Sequence, residues 1–224
     1  MSQRTYKYLS YITTICITFQ VANLVIVGKI IGLGPIAVPG SVFFFPIIYV
    51  FADVVTEVYG YAQSRKLMWQ IFFAMVIGSI LYATTAYLPA AHGFLHNEAF
   101  KRVFAFAPRV TVCSILGTWI GAILNDYILA KMKIWSKGKH LWMRTISSTI
   151  VGEGASTIIF YTLAFAGILS PVLLIKAIIW GWLIKTLVEV VMTPVTYYVV
   201  RKLKKAEQED YYDTSTNFNP FILS

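Results

Sequence analysis

Five of the ten acidic residues in this sequence, Asp53, Glu57, Asp126, Glu153 and Glu189, fall inside or at the ends of apolar stretches. A charge at the centre of a bilayer costs roughly 2.5 kcal/mol or more, so such residues face a bundle interior and mark a site or a pathway. Asp53 and Glu57 are four apart and share one helix face. That face continues through Phe45, Tyr49, Thr56 and Gly60, whereas Ile47, Ile48, Val54, Val55 and Val58 form an opposite face that reads as lipid-facing. Pro46, in the first part of this stretch, removes a helical hydrogen bond and is expected to kink or break the helix. An ionised carboxylate accepts two hydrogen bonds side by side. With aromatic rings beside it, the face suits a flat, polar ligand; a kinked helix whose acids face a basic partner such as Arg65 fits the same residues.

A second stripe runs Trp182, Lys185, Thr186, Glu189, Thr193 and Thr196. Lys185 and Glu189 stand at i, i+4, the spacing of a helical ion pair, so the stripe reads either as a site or as a self-neutralising structural pair. Glu153 shares its face with Thr149, Ser156, Thr157 and Phe160, beside Ser148-x-x-x-Gly152-x-x-x-Ser156, a small-residue spacing that lets helices approach closely. Asn23 and Asn125 place amides in two further apolar stretches.

The elements that must position these groups are transmembrane helices. About 20 mainly apolar residues are needed to span a hydrocarbon core of about 30 Å, and six stretches qualify: 9–31, 41–59, 67–88, 110–132, 145–169 and 172–200. The third is the least polar and is expected to be peripheral. With the N-terminus inside, thirteen Lys and Arg residues fall on the cytosolic side and three (Lys101, Arg102 and Arg109) opposite, which places both termini in the cytosol. Asn23 precedes Lys29 by six residues and Asn125 precedes Lys131 by six, the trace of a 3+3 inverted repeat. The fold expected is an all-α integral membrane protein. Residues 1–205 form one six-helix domain, and 206–224 a polar tail expected to be disordered. The outer segment 89–108 reads as a solvated loop, although its His92 and His96 have a spacing that holds a metal when helical.

Composition excludes much else. Hydrophobic residues make up 58% of the 224 and charged residues 13%, which argues against a soluble globule, a disordered chain or a nucleic-acid-binding domain despite a net charge of +9. Cys16 and Cys113 lie in apolar stretches and predict no disulfide. No phosphate-binding Gly-rich loop ending in Lys-Ser/Thr, Gly-x-Ser-x-Gly, His-Glu-x-x-His or Cys-x-x-Cys occurs, so neither an enzyme nor a cofactor is expected.

The run from Phe45 through Asp53-Val54-Val55-Thr56-Glu57-Val58-Tyr59-Gly60-Tyr61 to Arg65 resembles the signature of the queuosine precursor transporters, which are grouped with vitamin uptake transporters. Three further stretches share the resemblance: Lys137 to Thr145, Gly152 to Phe160, and Lys185-x-x-x-Glu189-x-x-x-Thr193-Pro194. One departure is that family members carry an acid near the position of Ser156, whereas this chain has it three residues earlier, at Glu153. The resemblance implies a six-helix inner-membrane importer of 7-cyano- and 7-aminomethyl-7-deazaguanine. Asp53 or Glu57 would then accept from the guanine-like edge, Tyr49, Phe45 or Trp182 would stack on the ring, and Asn23 and Asn125 would serve its carbonyl. Glu153 or Glu189 would balance an aminomethyl charge, and Lys185 belongs to the same set. The partners implied are the small molecule and the lipid bilayer, with no nucleic acid; a homodimer is compatible. The alternative is a substrate-binding membrane subunit that needs a separate ATPase module.

Overall fold

The computed structural model describes residues 6–33, 36–105, 107–167 and 170–222. Among them run α1 (Leu9–Ile26), a hairpin of β1 (Ile30–Leu33) and β2 (Ile36–Pro39), a 3-10 turn (Gly40–Phe43), α2 (Phe45–Tyr59), α3 (Tyr61–Tyr87), α4 (Asn97–Phe104), α5 (Ala107–Trp135), α6 (Leu141–Phe165) and α7 (Pro171–Glu207). The two strands pair antiparallel, Ile30 opposite Pro39 and Leu33 opposite Ile36. Six helices correspond to the six expected stretches, with α1 ending at Ile26 rather than at residue 31 because the hairpin takes the residues that follow.

Four stretches, Leu9–Ile26, Tyr61–Tyr87, Asn97–Trp135 and Pro171–Glu207, are long and apolar enough to cross a membrane. The protein is a multi-pass membrane protein. The helices outside this set are the two that carry much of the polar interior. α2 has 15 residues, a rise of about 22 Å, short of a core of about 30 Å. α6 is long, but Arg144, Thr145, Ser148, Thr149, Glu153, Ser156 and Thr157 are all buried in it.

Several expectations are corrected here. Ile48, Val54, Val55 and Val58 face protein, not lipid, and three of these four are wholly buried. The reason is that α2 packs against α1, α3, α5 and α7, so no side of it is left for lipid. Pro46 stands in the first turn of α2, where its missing N–H has no intrahelical partner to lose, and therefore starts the helix instead of kinking it. The outer segment is no simple loop: an amphipathic α4 forms within it after His96, with the Phe104 ring against Tyr82 of α3. α3 is half peripheral, with Phe73, Ile77, Ile80 and Leu81 exposed, yet its first turns bury Ser64 and Arg65.

Residues 208–222 form the tail after α7. Its polar groups find partners on the bundle: both Asp213 carboxylate oxygens accept from the Tyr61 N–H at 3.1 Å, and the Tyr61 hydroxyl donates to the Phe218 carbonyl. The two ends of the chain meet. Glu207 accepts from the N–H groups of Lys7 at 3.0 Å and Tyr8 at 2.7 Å, capping α1 from the end of α7.

α5 and α6 touch backbone to backbone. A Cβ at Gly121 would lie 2.7 Å from the Gly152 carbonyl, and one at Gly152 would lie 2.7 Å from the Gly121 carbonyl. This is the close approach that the Ser148, Gly152, Ser156 spacing implies.

Candidate functional site

Glu57, near the C-terminal end of α2, is 1% exposed and is met by three cations. Arg144 of α6 grips it with both terminal nitrogens, Nη1 on Oε2 and Nη2 on Oε1 at 3.2 Å. Lys204 of α7 donates to Oε1 at 2.7 Å, and Lys133 of α5 stands 3.6 Å from the same oxygen. Lys133 also donates to the Glu57 carbonyl at 2.5 Å and to Asp210 of the tail at 2.6 Å. Burial alone would push the Asp210 carboxyl up, but the hydrogen bonds from Lys133 and Lys204 outweigh it and hold it below its ordinary value. Three cations thus share two carboxylates where four helices converge. This arrangement neutralises Glu57 and ties α2, α5, α6 and α7 together.

Further inside lie two adjoining cavities that share Gln20, Met75 and Thr118 as lining. One is bounded by Asn23, Ser114, Ser156, Phe160, Tyr161 and Lys185, the other by Tyr49, Ser64, Phe72, Trp119, Asn125 and Asp126. Asp126 is fully engaged, accepting from Thr56 at 3.1 Å and from Ser64. Asn125 donates to Asp53 Oδ1 at 2.6 Å, so Asp53 stands directly behind the amide that lines the cavity. Around these cavities several buried polar atoms have no hydrogen-bond partner among the described residues: Gln20 Oε1, both amide atoms of Asn23, Asn125 Oδ1, Asp53 Oδ2 and Glu189 Oε1. A buried polar atom left unpaired costs about 1–3 kcal/mol. Such a concentration in one place marks where a polar ligand would be held.

The expected site residues divide into groups. Asn23, Asn125, Tyr49 and Lys185 line the cavities. Tyr49 lies against Glu153 and Ser156. Asp53 and Glu189 are buried behind them and interact across the α2–α7 contact. Lys185 does not pair with Glu189; it donates to Glu153 on α6 at 2.9 Å and to Thr157 at 3.3 Å. The small-residue face of α6 brings that carboxylate within reach, and a buried carboxylate is far less costly beside a cation. Arg65 donates to the carbonyls of Asn217 and Asn219 in the tail. Trp182 stands apart from both cavities, its indole N–H on the Ile150 carbonyl at 3.0 Å and its ring against Gly154. The Phe45 side chain lies outside the described residues. His92 and His96 are exposed, and no group of three or more His, Cys, Asp or Glu able to hold a metal occurs among the described residues.

Arg144, Lys133 and Gln20 are not singled out by the sequence; the first two count among the thirteen cytosolic basic residues. The signal for Arg144 was its place inside a helix that also carries Glu153. For Gln20 it was a full amide in a stretch with no charge nearby.

Residues 39–199 match the family described as "Putative vitamin uptake transporter". The chain is 28% identical over 188 residues to the "Probable queuosine precursor transporter" of Bacillus subtilis, covering 84% of this chain and 82% of that one. It is 21% identical over 123 residues to the "Queuosine precursor transporter" of Escherichia coli, 55% of this chain and 53% of that one. With the "Probable queuosine precursor transporter" of Haemophilus influenzae it shares 24% identity over 124 residues, 54% of this chain and 49% of that one. No solved structure matches. A helical membrane bundle with unpaired amides at its interior cavities, matched over most of its length to such proteins, belongs to the vitamin uptake transporter family that includes the queuosine precursor transporters, and is a transporter rather than an enzyme.

Proposed function

We propose that this chain imports 7-deazaguanine precursors of queuosine, 7-cyano- and 7-aminomethyl-7-deazaguanine, across the inner membrane. The observation that carries the reading is the set of three side-chain amides at the adjoining cavities, Gln20, Asn23 and Asn125, each with a buried unpaired atom. A guanine-like edge offers a ring N–H and an amino group as donors and a carbonyl as acceptor. Gln20 Oε1 and Asn125 Oδ1 suit the donors, and Asn23 Nδ2 suits the carbonyl. Tyr49 and Phe160 line the cavities and give the flat ring a stacking surface, worth about 1–3 kcal/mol for a base.

Asp53 and Glu189, each with an unpaired oxygen, suit the ammonium of the aminomethyl precursor. Glu57 does not share that role in this reading, because its oxygens are occupied by Arg144 and Lys204. The basic-residue bias supports an orientation with both termini in the cytosol. Asn23 and Asn125, one at each cavity, are compatible with a 3+3 inverted repeat.

The test is uptake of labelled 7-cyano-7-deazaguanine by liposomes holding only this protein, with an Asn23→Ala, Asn125→Ala variant alongside. Saturable uptake lost in the variant supports the reading. Binding without uptake would move the assignment to a subunit that needs an ATPase module, and absence of both would remove the substrate.

A further inference from the structure

The family match ends at residue 199, yet the chain beyond α7 makes some of the most specific contacts in the molecule. Residues 209–222 run along α2, α3 and α5 at the end where the termini meet. The Tyr211 N–H donates to the Val58 carbonyl at 3.2 Å, and its ring lies so close over Gly60 that a Cβ there would sit 2.3 Å from it. Asp213 caps α3 through the Tyr61 N–H at 3.1 Å. Further along, Arg65 holds the Asn217 and Asn219 carbonyls at 2.7 and 3.0 Å, and Trp69 donates to the Pro220 carbonyl at 3.0 Å. The segment satisfies its own N–H groups as well, Asn219 donating to the Asn217 side chain and Phe221 to the Asn219 side chain, both at 2.9 Å. Phe221 ends on Trp119, a residue that also lines the second cavity.

Two features show what this segment restrains. First, Gly60 is the joint between α2 and α3, with φ of +85°, a conformation that favours glycine. α2 carries Tyr49 and Asp53, so any swing of that helix relative to α3 turns at Gly60, directly under the Tyr211 ring. Second, Ser64, Leu67 and Met68 on the first turns of α3 wall the second cavity, and the segment is fastened to Arg65 and Trp69 between and beside them. Its attachment is hydrogen bonds joined by ring contacts of Phe218 and Phe221, and is largely superficial: Asp213 is 2% exposed, but Tyr212 is 38% and Phe221 66% exposed. A segment held by hydrogen bonds with little apolar burial opens more readily than the core it covers.

We propose that residues 209–222 form a releasable clasp that locks the α2–α3 joint and closes the second cavity at the terminal end of the bundle. Passage to that side requires the clasp to let go. The inference rests on the transporter reading, since a gate has a purpose only where a solute passes.

Leu67 is 2% exposed and lines the second cavity, so a cysteine there reports opening without any substrate. In an L67C chain with Cys16 and Cys113 replaced by alanine, a water-soluble maleimide should label about fivefold or more faster once Asp213→Ala and Phe221→Ala are added, the factor expected from one lost net hydrogen bond. Equal labelling in a clasp variant that still elutes as a folded monodisperse species would overturn the proposal. In the converse experiment, K131C and F218C, at a surface contact between α5 and the segment, are joined by a reducible bis-methanethiosulfonate linker that fixes the clasp. Uptake of labelled 7-cyano-7-deazaguanine should stop and return on reduction; a cross-linked chain that transports at the parental rate would overturn the clasp. If the parent takes up no precursor, the substrate assignment fails while the labelling experiment still decides the clasp.

Discussion

Replacing Glu57 by glutamine separates two roles for the acids of α2. Glu57 and Arg144 are each 1% exposed, so E57Q removes one member of a buried ion pair; Lys133 and Lys204 keep Asp210, while Arg144 loses the carboxylate it grips. Breaking such a pair costs about 3–5 kcal/mol. Lys204 is 23% solvent-exposed at its side chain and can rehydrate, which places the effect near the lower figure. At about 2–4 °C per kcal/mol for a chain of this size, the melting temperature in detergent should fall by about 6–12 °C. Asp53→Asn has a different signature. Its Oδ1 accepts from Asn125, and an asparagine oxygen can accept there equally, so the fold should hold while binding of the aminomethyl precursor falls by about tenfold or more, the effect of one charged contact. Thermal melts and equilibrium binding on the same two variants make the comparison. An E57Q protein that melts like the parent and has lost precursor binding would refute the reasoning and return Glu57 to the ligand.

Other consequences can be checked on single variants. Gly152→Ala puts a methyl 2.7 Å from the Gly121 carbonyl, where no flexible side chain can give way, and should lower stability by about 1–3 kcal/mol in a thermal melt; Gly78→Ala, whose nearest neighbour is a Val21 methyl at 3.3 Å, should be close to neutral. Trp182→Phe loses one hydrogen bond to Ile150 and no cavity contact, so precursor affinity should stay within about twofold of the parent in a binding titration. Because hydrogen bonds from Lys133 and Lys204 hold the Asp210 carboxyl below its ordinary value of 3.8, its contribution to docking the tail is complete above that pH and lost as the pH falls below it. Trp69 and Trp119 fluorescence should follow this loss, and Asp210→Asn should flatten it.

The six long helices, the shared face of Asp53 and Glu57 and the small-residue stripe of α6 were legible in the sequence because each depends on local spacing along one helix. What was not legible depends on how helices meet. Lys185 has an acid one turn away at Glu189, but its ammonium finds Glu153 across the α6–α7 contact, and no periodicity reveals which of two acids is nearer in space. The hydrophobic side of α2 looked like a lipid face because buried and lipid-facing helices are equally apolar. The tail's polarity gives no hint of which groups of α2 and α3 it meets, such as the Val58 carbonyl and the Tyr61 N–H. Arg144 and Lys133 lie in a basic stretch whose other lysines, Lys131, Lys137 and Lys139, stay at the surface, and only the position of Glu57 sets the two apart.

The central claim is that the amide-lined cavities hold a 7-deazaguanine on its way across the bilayer. Its most direct test is uptake of labelled 7-cyano-7-deazaguanine by liposomes containing the parent chain or the Asn23→Ala, Asn125→Ala variant. The account predicts saturable uptake by the parent and its loss in the variant, with the variant still folded and monodisperse although Asp53 has lost the Asn125 hydrogen bond. Equal uptake by the two would contradict it.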